Sequence, residues 1–284
     1  MSTLWSWLFP PGLFSSSFMV DTWEGASIVA VIAGFVGFFV VLRGSAFVAH
    51  ALPKGGFAGA ACATFFGFNS ILGLAMFSVG GALGIAWLGR RGRHDVVTAL
   101  TLVFLLGTGA LFLNLNNLYA PEIYSLLFGE ILGITHREVL DTAAIGVISV
   151  VLLGFLYRPL LLLSILPTTA EARGIRPRRM ETVFLIVVGL ATAVTVPIVG
   201  ALLSFSLMIA PAAAARYWTV RPLHAMGLSA AIAVFIVALS IFLSYDTGWP
   251  VGFFVAALAA AVYALSRALH PTTRTSSKAR ANCS

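Results

Sequence analysis

The chain has little charge, little cysteine and almost no lysine. Of its 284 residues, 10% are charged. The lysines are Lys54 and Lys278, and neither follows a glycine-rich turn, so no GxxxxGK(S/T) phosphate loop is present. HExxH, GxSxG and CxxC are missing as well. Cys62 lies in an apolar block and Cys283 in a polar tail, which excludes a disulfide framework. Few ionisable residues fall inside the apolar blocks, which argues against a proton-relay pump. No cluster of acids, histidines or a nucleophile gathers near an interface, which argues against a membrane-embedded enzyme. The start, Leu4–Phe14, has no basic n-region and no small-residue cleavage site. It reads as part of an interfacial segment, residues 1–17, and not as a removed signal peptide.

What the chain has in quantity is apolar sequence. Sixty per cent of residues are hydrophobic, and they come in long blocks with the charges in the gaps. About 20 apolar residues span the hydrocarbon core of a bilayer. The blocks run Glu24–Leu42, Ser45–Gly67, Ser70–Gly89, Val96–Leu113, Thr142–Tyr157, Pro222–Leu243 and Pro250–Arg267. A further block, Thr182–Ala215, would be roughly 51 Å long as one helix, too long for one crossing and tight for two. Pro197 and Gly200 interrupt it, so two short helices joined by a sharp turn are expected. The fold class is all-α, a polytopic transmembrane bundle of nine spans, or eight if one piece is re-entrant. The transmembrane domain covers residues 18–269, and the polar tail 270–284 is expected to be disordered.

Seventeen basic against ten acidic residues give a net charge of +7. In a soluble chain that excess would suggest nucleic acid, but its placement points to orientation and no nucleic-acid partner is expected. Nine spans with the N-terminus outside put Arg43, Arg90, Arg91, Arg93, Arg158, Arg173, Arg176, Arg178, Arg179, Arg216, Arg221 and the tail bases in the cytoplasm. Asp21, Glu24, Glu122, Glu130, Glu138, Asp141 and Asp246 then face outward, with Arg137 as the one loop base there. This satisfies the positive-inside rule, places the C-terminus in the cytoplasm, and reads as a multi-pass protein of the cell (inner) membrane. Two gaps are long enough to hold structure: Asn114–Asp141 outside, with a short interfacial helix, and Arg158–Met180 inside.

Few residues could carry chemistry. His50 is an intramembrane imidazole, a common metal ligand, and Pro53, Lys54, Gly55 and Gly56 are expected to bend or unwind the helix after it, as at many transport sites. A histidine bonded to a neighbouring helix is the plainer alternative. Lys54 either snorkels to an interface or pairs with an acid such as Asp246 or Glu130, and facing a passage it would repel a bare cation. Asp246 reads as an extracellular turn residue or a cation attractor. The small residues of Met208–Arg216 suit close helix packing. In TAEARGIRPRR, Thr168 and Glu171 have capping-box spacing, and Gly174 with Pro177 gives a stop. A short cytoplasmic helix around Thr169–Arg173 would dock a soluble partner, unless the stretch is an ordinary frayed basic loop.

Taken in order, these segments resemble the metal-type permease family of ABC importers. FMVDTWEGASIVAVIAGFVGFFVVLRGSAFVAHALP is similar to the family's first helix and its Arg…Ser-His-Ala…Leu-Pro-Gly stretch. LLFGEILGI (Leu126–Ile134), AEARGI (Ala170–Ile175), VGALLSFSLMIAPAAAAR (Val199–Arg216) and LSYDTGWPVG resemble its later motifs. The resemblance covers about Phe18 to Leu269. It implies a permease for zinc, manganese or iron, paired or homodimeric in the lipid, without cofactor or enzymatic activity of its own. ATP would be bound by separate cytoplasmic ATPase subunits, and an extracytoplasmic solute-binding protein would deliver the cargo. Thr168, Glu171, Ala172, Gly174 and Ile175 would couple to the ATPase, while His50, Lys54 and Asp246 would line the pathway, with His50 as metal ligand. Ala46 stands where the family has an aspartate, and Lys54 where it has glycine. A chelated metal or other small solute, or a non-transporting scaffold with the same fold, are the alternative readings.

Overall fold

The computed structural model describes residues 17–89, 94–116, 129, 135–201 and 203–270. Among these, the regular elements are helices: α1 (Ser17–Leu42), α2 (Ala46–Phe66), α3 (Ser70–Leu88), α4 (His94–Asn116), α5 (His136–Ile165), α6 (Pro167–Ala172), α7 (Pro177–Val199), α8 (Ser204–Trp218), α9 (Pro222–Thr247) and α10 (Val251–Leu269). Seven are long and apolar enough to cross a bilayer. The 21-residue α2 is also long enough, at about 32 Å. The 15-residue α8 reaches only about 22 Å, short of a full crossing. Eight full-length helices and one short one therefore stand where eight or nine spans were expected.

Local chemistry sets the boundaries. Asn69 caps α3 by accepting the Ile71 N–H at 2.8 Å, after Gly67 closes α2 in the left-handed region at φ 74°. Prolines occupy the first turns of α6, α7 and α9, where a missing N–H costs nothing. The long block breaks at Gly200, whose φ of 90° suits glycine. Pro197 sits in the last turn of α7 without ending it. The expectation of two short helices is corrected on one side: α7 starts at Pro177 and runs 23 residues. Helix α5 is longer than expected at both ends, because Thr135 starts it with a capping box and it continues through Arg158 and Pro159 to Ile165.

The burial pattern has a centre and a rim. The apolar stretches of α1 and α7 are 67% and 72% buried, against 17% for α4. Helix α1 packs against α9, α8, α5 and α7, while α7 also packs against α3 and α2. Phe39, Phe184, Leu207, Met208 and Ile236 fill the space between them. Lipid supplies no hydrophobic drive for helices to associate, so close backbone approach carries the packing. Gly37 lies against the Met208 backbone and Gly34 against Ala230, where Ser229 Oγ donates to the Gly34 carbonyl at 2.8 Å. Gly59 and Gly73 hold α2 and α3 together in the same way. In Met208–Arg216, Met208, Ala212, Ala214 and Ala215 are buried, as the packing reading requires.

Cross-helix contacts define two ends. Asn69 donates to Asp141 at 2.9 Å and His136 pairs with Asp21 at 3.0 Å at one end. At the other, His94 approaches Glu181 at 3.6 Å, Arg216 donates to the Val41 carbonyl at 3.4 Å, and Trp218 donates to Ser266 at 3.1 Å. The helix order places Arg43, Arg158, Arg173, Arg176, Arg178, Arg179, Arg216, Arg221 and Arg267 at this second end. Arg90, Arg91, Arg93, Glu122, Glu130, segment 1–16 and tail residues 271–284 lie outside the described residues, as does most of Asn114–Asp141 with its expected interfacial helix.

A prediction follows from the α2–α3 contact. Gly59→Leu drives a side chain into the Gly73 backbone and lowers stability by about 1–3 kcal/mol. Gly80→Leu, where an added Cβ meets nothing within 4 Å, leaves it unchanged. Thermal unfolding of both variants in the same detergent reads the difference.

Candidate functional site

Of the bend or unwinding expected after His50, the unwinding does not occur. Helix α2 is continuous from Ala46 to Phe66 with Pro53 inside it. An unwound stretch here would strand backbone donors away from water, whereas an uninterrupted helix loses only the one bond that proline cannot donate. The glycines that suggested a break serve contact instead. Gly55 lies under Leu105 of α4, and Gly56 under Ser78 and Leu74 of α3.

On this helix, Lys54 reaches back one turn, and its Nζ lies 2.8 Å from His50 Nε2. Helical side chains lean toward the N-terminus, so an i, i+4 pair meets in this way. The ammonium can only donate, which makes Nε2 the acceptor and puts the ring proton on Nδ1. Nδ1 is buried and has no hydrogen-bond partner. Phe205, near the start of α8, holds the ring edge-on with centroids 4.8 Å apart. Of the acids offered as partners for Lys54, Asp246 is not paired with it and lies in the exposed last turn of α9, while Glu130 lies outside the described residues. The ion pairs among the described residues are His94–Glu181 and His136–Asp21, and neither involves Lys54. Asp246 is therefore not brought together with His50 and Lys54. Among the described residues, no group of three or more His, Cys, Asp or Glu could hold a metal ion. His50 could supply one ligand, through Nε2, with Lys54 competing for it.

The second candidate element is α6, at the arginine-rich end. It begins with Pro167 at its first position, and Leu166 makes no side-chain cap. The expected Thr168–Glu171 capping box does not form, because Thr168 lies inside the helix, one residue past Pro167. The stop does form. Gly174 takes φ 77°, its N–H donates to the Glu171 carbonyl at 2.9 Å, and the Ile175 N–H donates to the Ala170 carbonyl at 3.1 Å. These are the two bonds of a Schellman closure, with Ile175 following the buried Ala170. Thr168, Glu171 and Ala172 are left exposed. Beside α6 lies an open cleft of about 430 Å³ lined by Arg158, Leu162, Ile165, Leu166, Arg173 and Ile175.

Three features besides the Lys54–His50 bond emerge only in the structure. The capping box belongs to Thr135 and Glu138, where Thr135 Oγ1 and N–H both donate to Glu138 Oε2 at 2.9 Å. Its T-x-x-E spacing was legible in THRE. Arg43 lies over the Phe184 ring at 5.1 Å, and burial pushes its guanidinium down from the usual value while Glu181 acts the other way. The approach of His94 to Glu181 joins residues far apart in sequence and carried no local signal.

Comparison with known proteins gives a consistent result. The pattern of the ABC 3 transport family matches residues 15–270. The manganese import system permease protein ScaB of Streptococcus parasanguinis is 24% identical over 268 residues, 94% of this chain and 95% of that protein. The manganese transport system membrane protein MntC of Listeria monocytogenes is 28% identical over 214 residues, 75% of this chain and 76% of that protein. Among solved structures, a chain of PsaBC from Streptococcus pneumoniae in complex with Fab superposes with a TM-score of 0.83 at 22% identity, covering 93% of this chain and 96% of that one. The fold is thus shared with that chain over nearly its whole length.

The Schellman closure yields a test. Gly174→Val forces a branched side chain into the left-handed region at about 1–2 kcal/mol, roughly a tenfold population shift. Amide exchange at Ala170–Ile175 should quicken by that factor, while α1 and α7 stay protected.

Proposed function

The chain belongs to the ABC 3 transport family, and from that premise we propose that it imports a divalent metal ion as the permease subunit of an ATP-driven transporter. The observation that carries this reading is the family match over residues 15–270, joined to manganese-permease relatives that align with most of the chain. Two features of the molecule support it. An exposed, tightly closed helix, α6, stands at the end of the bundle that collects arginines. The sequence also holds no nucleotide-binding loop, so the energy must enter from another subunit.

By the positive-inside rule the arginine-rich end is cytoplasmic, as is the C-terminus. A separate ATPase docks there on Thr168, Glu171 and Ala172, with Gly174 and Ile175 fixing the end of α6. ATP binding draws the ATPase subunits together and α6 carries that movement into the bundle. A solute-binding protein delivers cargo at the opposite end, where Asp246 is exposed, and a second permease copy completes the passage.

One observation favours a second reading, a chelated metal or another small solute. Unit charges 4 Å apart at an effective dielectric of 20 interact by about 4 kcal/mol, so a bare dication beside the Lys54 ammonium meets about 8 kcal/mol of repulsion. A cargo that brings its own anionic ligands avoids that cost.

Proteoliposomes holding the permease with its ATPase and solute-binding protein decide between them. ATP-dependent Mn²⁺ uptake is expected, and Glu171→Arg should lower transport and ATPase stimulation at least fivefold without changing the melting temperature. Uptake only of a chelate would favour the second reading, and no uptake of either would favour a scaffold.

A further inference from the structure

The proposal rests on the metal-import reading and concerns what occupies the His50 nitrogen when no cargo is present. We propose that Lys54 is a tethered cation that holds His50 Nε2 in the empty permease, so that a metal ion reaches this ring only by displacing the lysine. The geometry is direct. Nζ lies 2.8 Å from Nε2, on the ring's one lone pair. A zinc ion bound there would sit at about 2.0–2.1 Å, and any metal ion would use the same lone pair, so ammonium and ion cannot share it. The other ring nitrogen gives no way round. It carries the proton, is buried, and has no partner. Phe205 holds the ring edge-on from α8, which disfavours a flip.

The described surroundings do not compensate the lysine. No carboxylate among the described residues pairs with it, and no cluster of His, Cys, Asp or Glu able to hold a metal lies among them. Ala46 occupies the preceding turn of the same helix face, so Ala46, His50 and Lys54 form an i, i+4, i+8 stripe with one ligand and one cation. Among the described residues, then, nothing offsets the charge of the ammonium. Lys54 acts as a specificity-determining residue, since only a cargo that binds imidazole strongly enough to expel an ammonium engages His50. It also favours release, because the lysine returns to the nitrogen as the ion departs.

The test uses the full-length permease in nanodiscs with ¹⁵N-labelled histidine rings, titrated with Mn²⁺, whose paramagnetism broadens the signals of nearby nuclei. His50→Gln identifies the His50 signal, and His136, His224 and His270, all exposed, report non-specific binding. In the wild type, His50 should appear with its proton on Nδ1 and broaden only at high Mn²⁺. In Lys54→Met the broadening midpoint should fall at least tenfold, while Lys54→Arg, which keeps a cation, should stay near the wild type. Lys54→Gln repeats the test if the methionine variant inserts poorly. An unchanged midpoint in the neutral variants, or no broadening of His50 in any form, would overturn the proposal. The titration needs neither ATPase nor uptake, so its failure is separate from failure of the metal-import reading.

Discussion

In hydrocarbon, a backbone N–H or C=O without a partner costs about 2–7 kcal/mol, and water is not available to relieve it. That single cost arranges most of this molecule. Helix α2 stays intact through Pro53 because unwinding would strand several such groups where the proline strands one. The chain does turn at Gly200, where a residue without a Cβ can take φ 90° and where the Gly200 N–H still reaches the Val196 carbonyl at 2.8 Å. Most buried hydroxyls among the described residues obey the same demand, Ser78 and Thr142 being exceptions. Thr192 donates to the Val188 carbonyl at 2.7 Å, and Ser240 to that of Ile236 at 2.7 Å.

Once helices are obligatory, their packing and their charges follow. Glycine and alanine let α1 meet α8 and α9, and α2 meet α3, at backbone contact. Apart from Arg137, the described arginines go to one end and most described carboxylates to the other, where Asp141 pairs with Asn69 and Asp21 with His136. Lys54 is the exception. Two turns into α2, it pairs with no carboxylate among the described residues, and its ammonium takes the His50 ring as acceptor.

Much of this was legible in the residues, and the misses share a cause. Apolar block lengths located the helices, and Gly200 and Gly174 marked real turns because both take positive φ. The small residues of Met208–Arg216 read correctly as a packing face. Pro53 does not unwind α2, and the break expected at Pro197 and Gly200 falls at Gly200, since tertiary packing overrides a single lost hydrogen bond. Thr168 was read as a cap, but Pro167 starts α6 ahead of it, while the capping box at Thr135 was overlooked. The Lys54–His50 bond is a local i, i+4 contact on one helix, not a long-range ion pair, and its spacing is legible in the sequence. The Leu126–Ile134 motif lies outside the described residues apart from Gly129, which packs against the backbone around Val199 and Gly200.

The account depends on α6 facing the compartment where ATP is. In a chain with Cys62 and Cys283 replaced by serine, single cysteines at Glu171 and Thr247 can be probed with a membrane-impermeant maleimide in sealed right-side-out vesicles. Thr247→Cys should react at once and Glu171→Cys only after permeabilisation. Immediate labelling of Glu171→Cys with protection of Thr247→Cys would contradict an importer driven from the arginine-rich end.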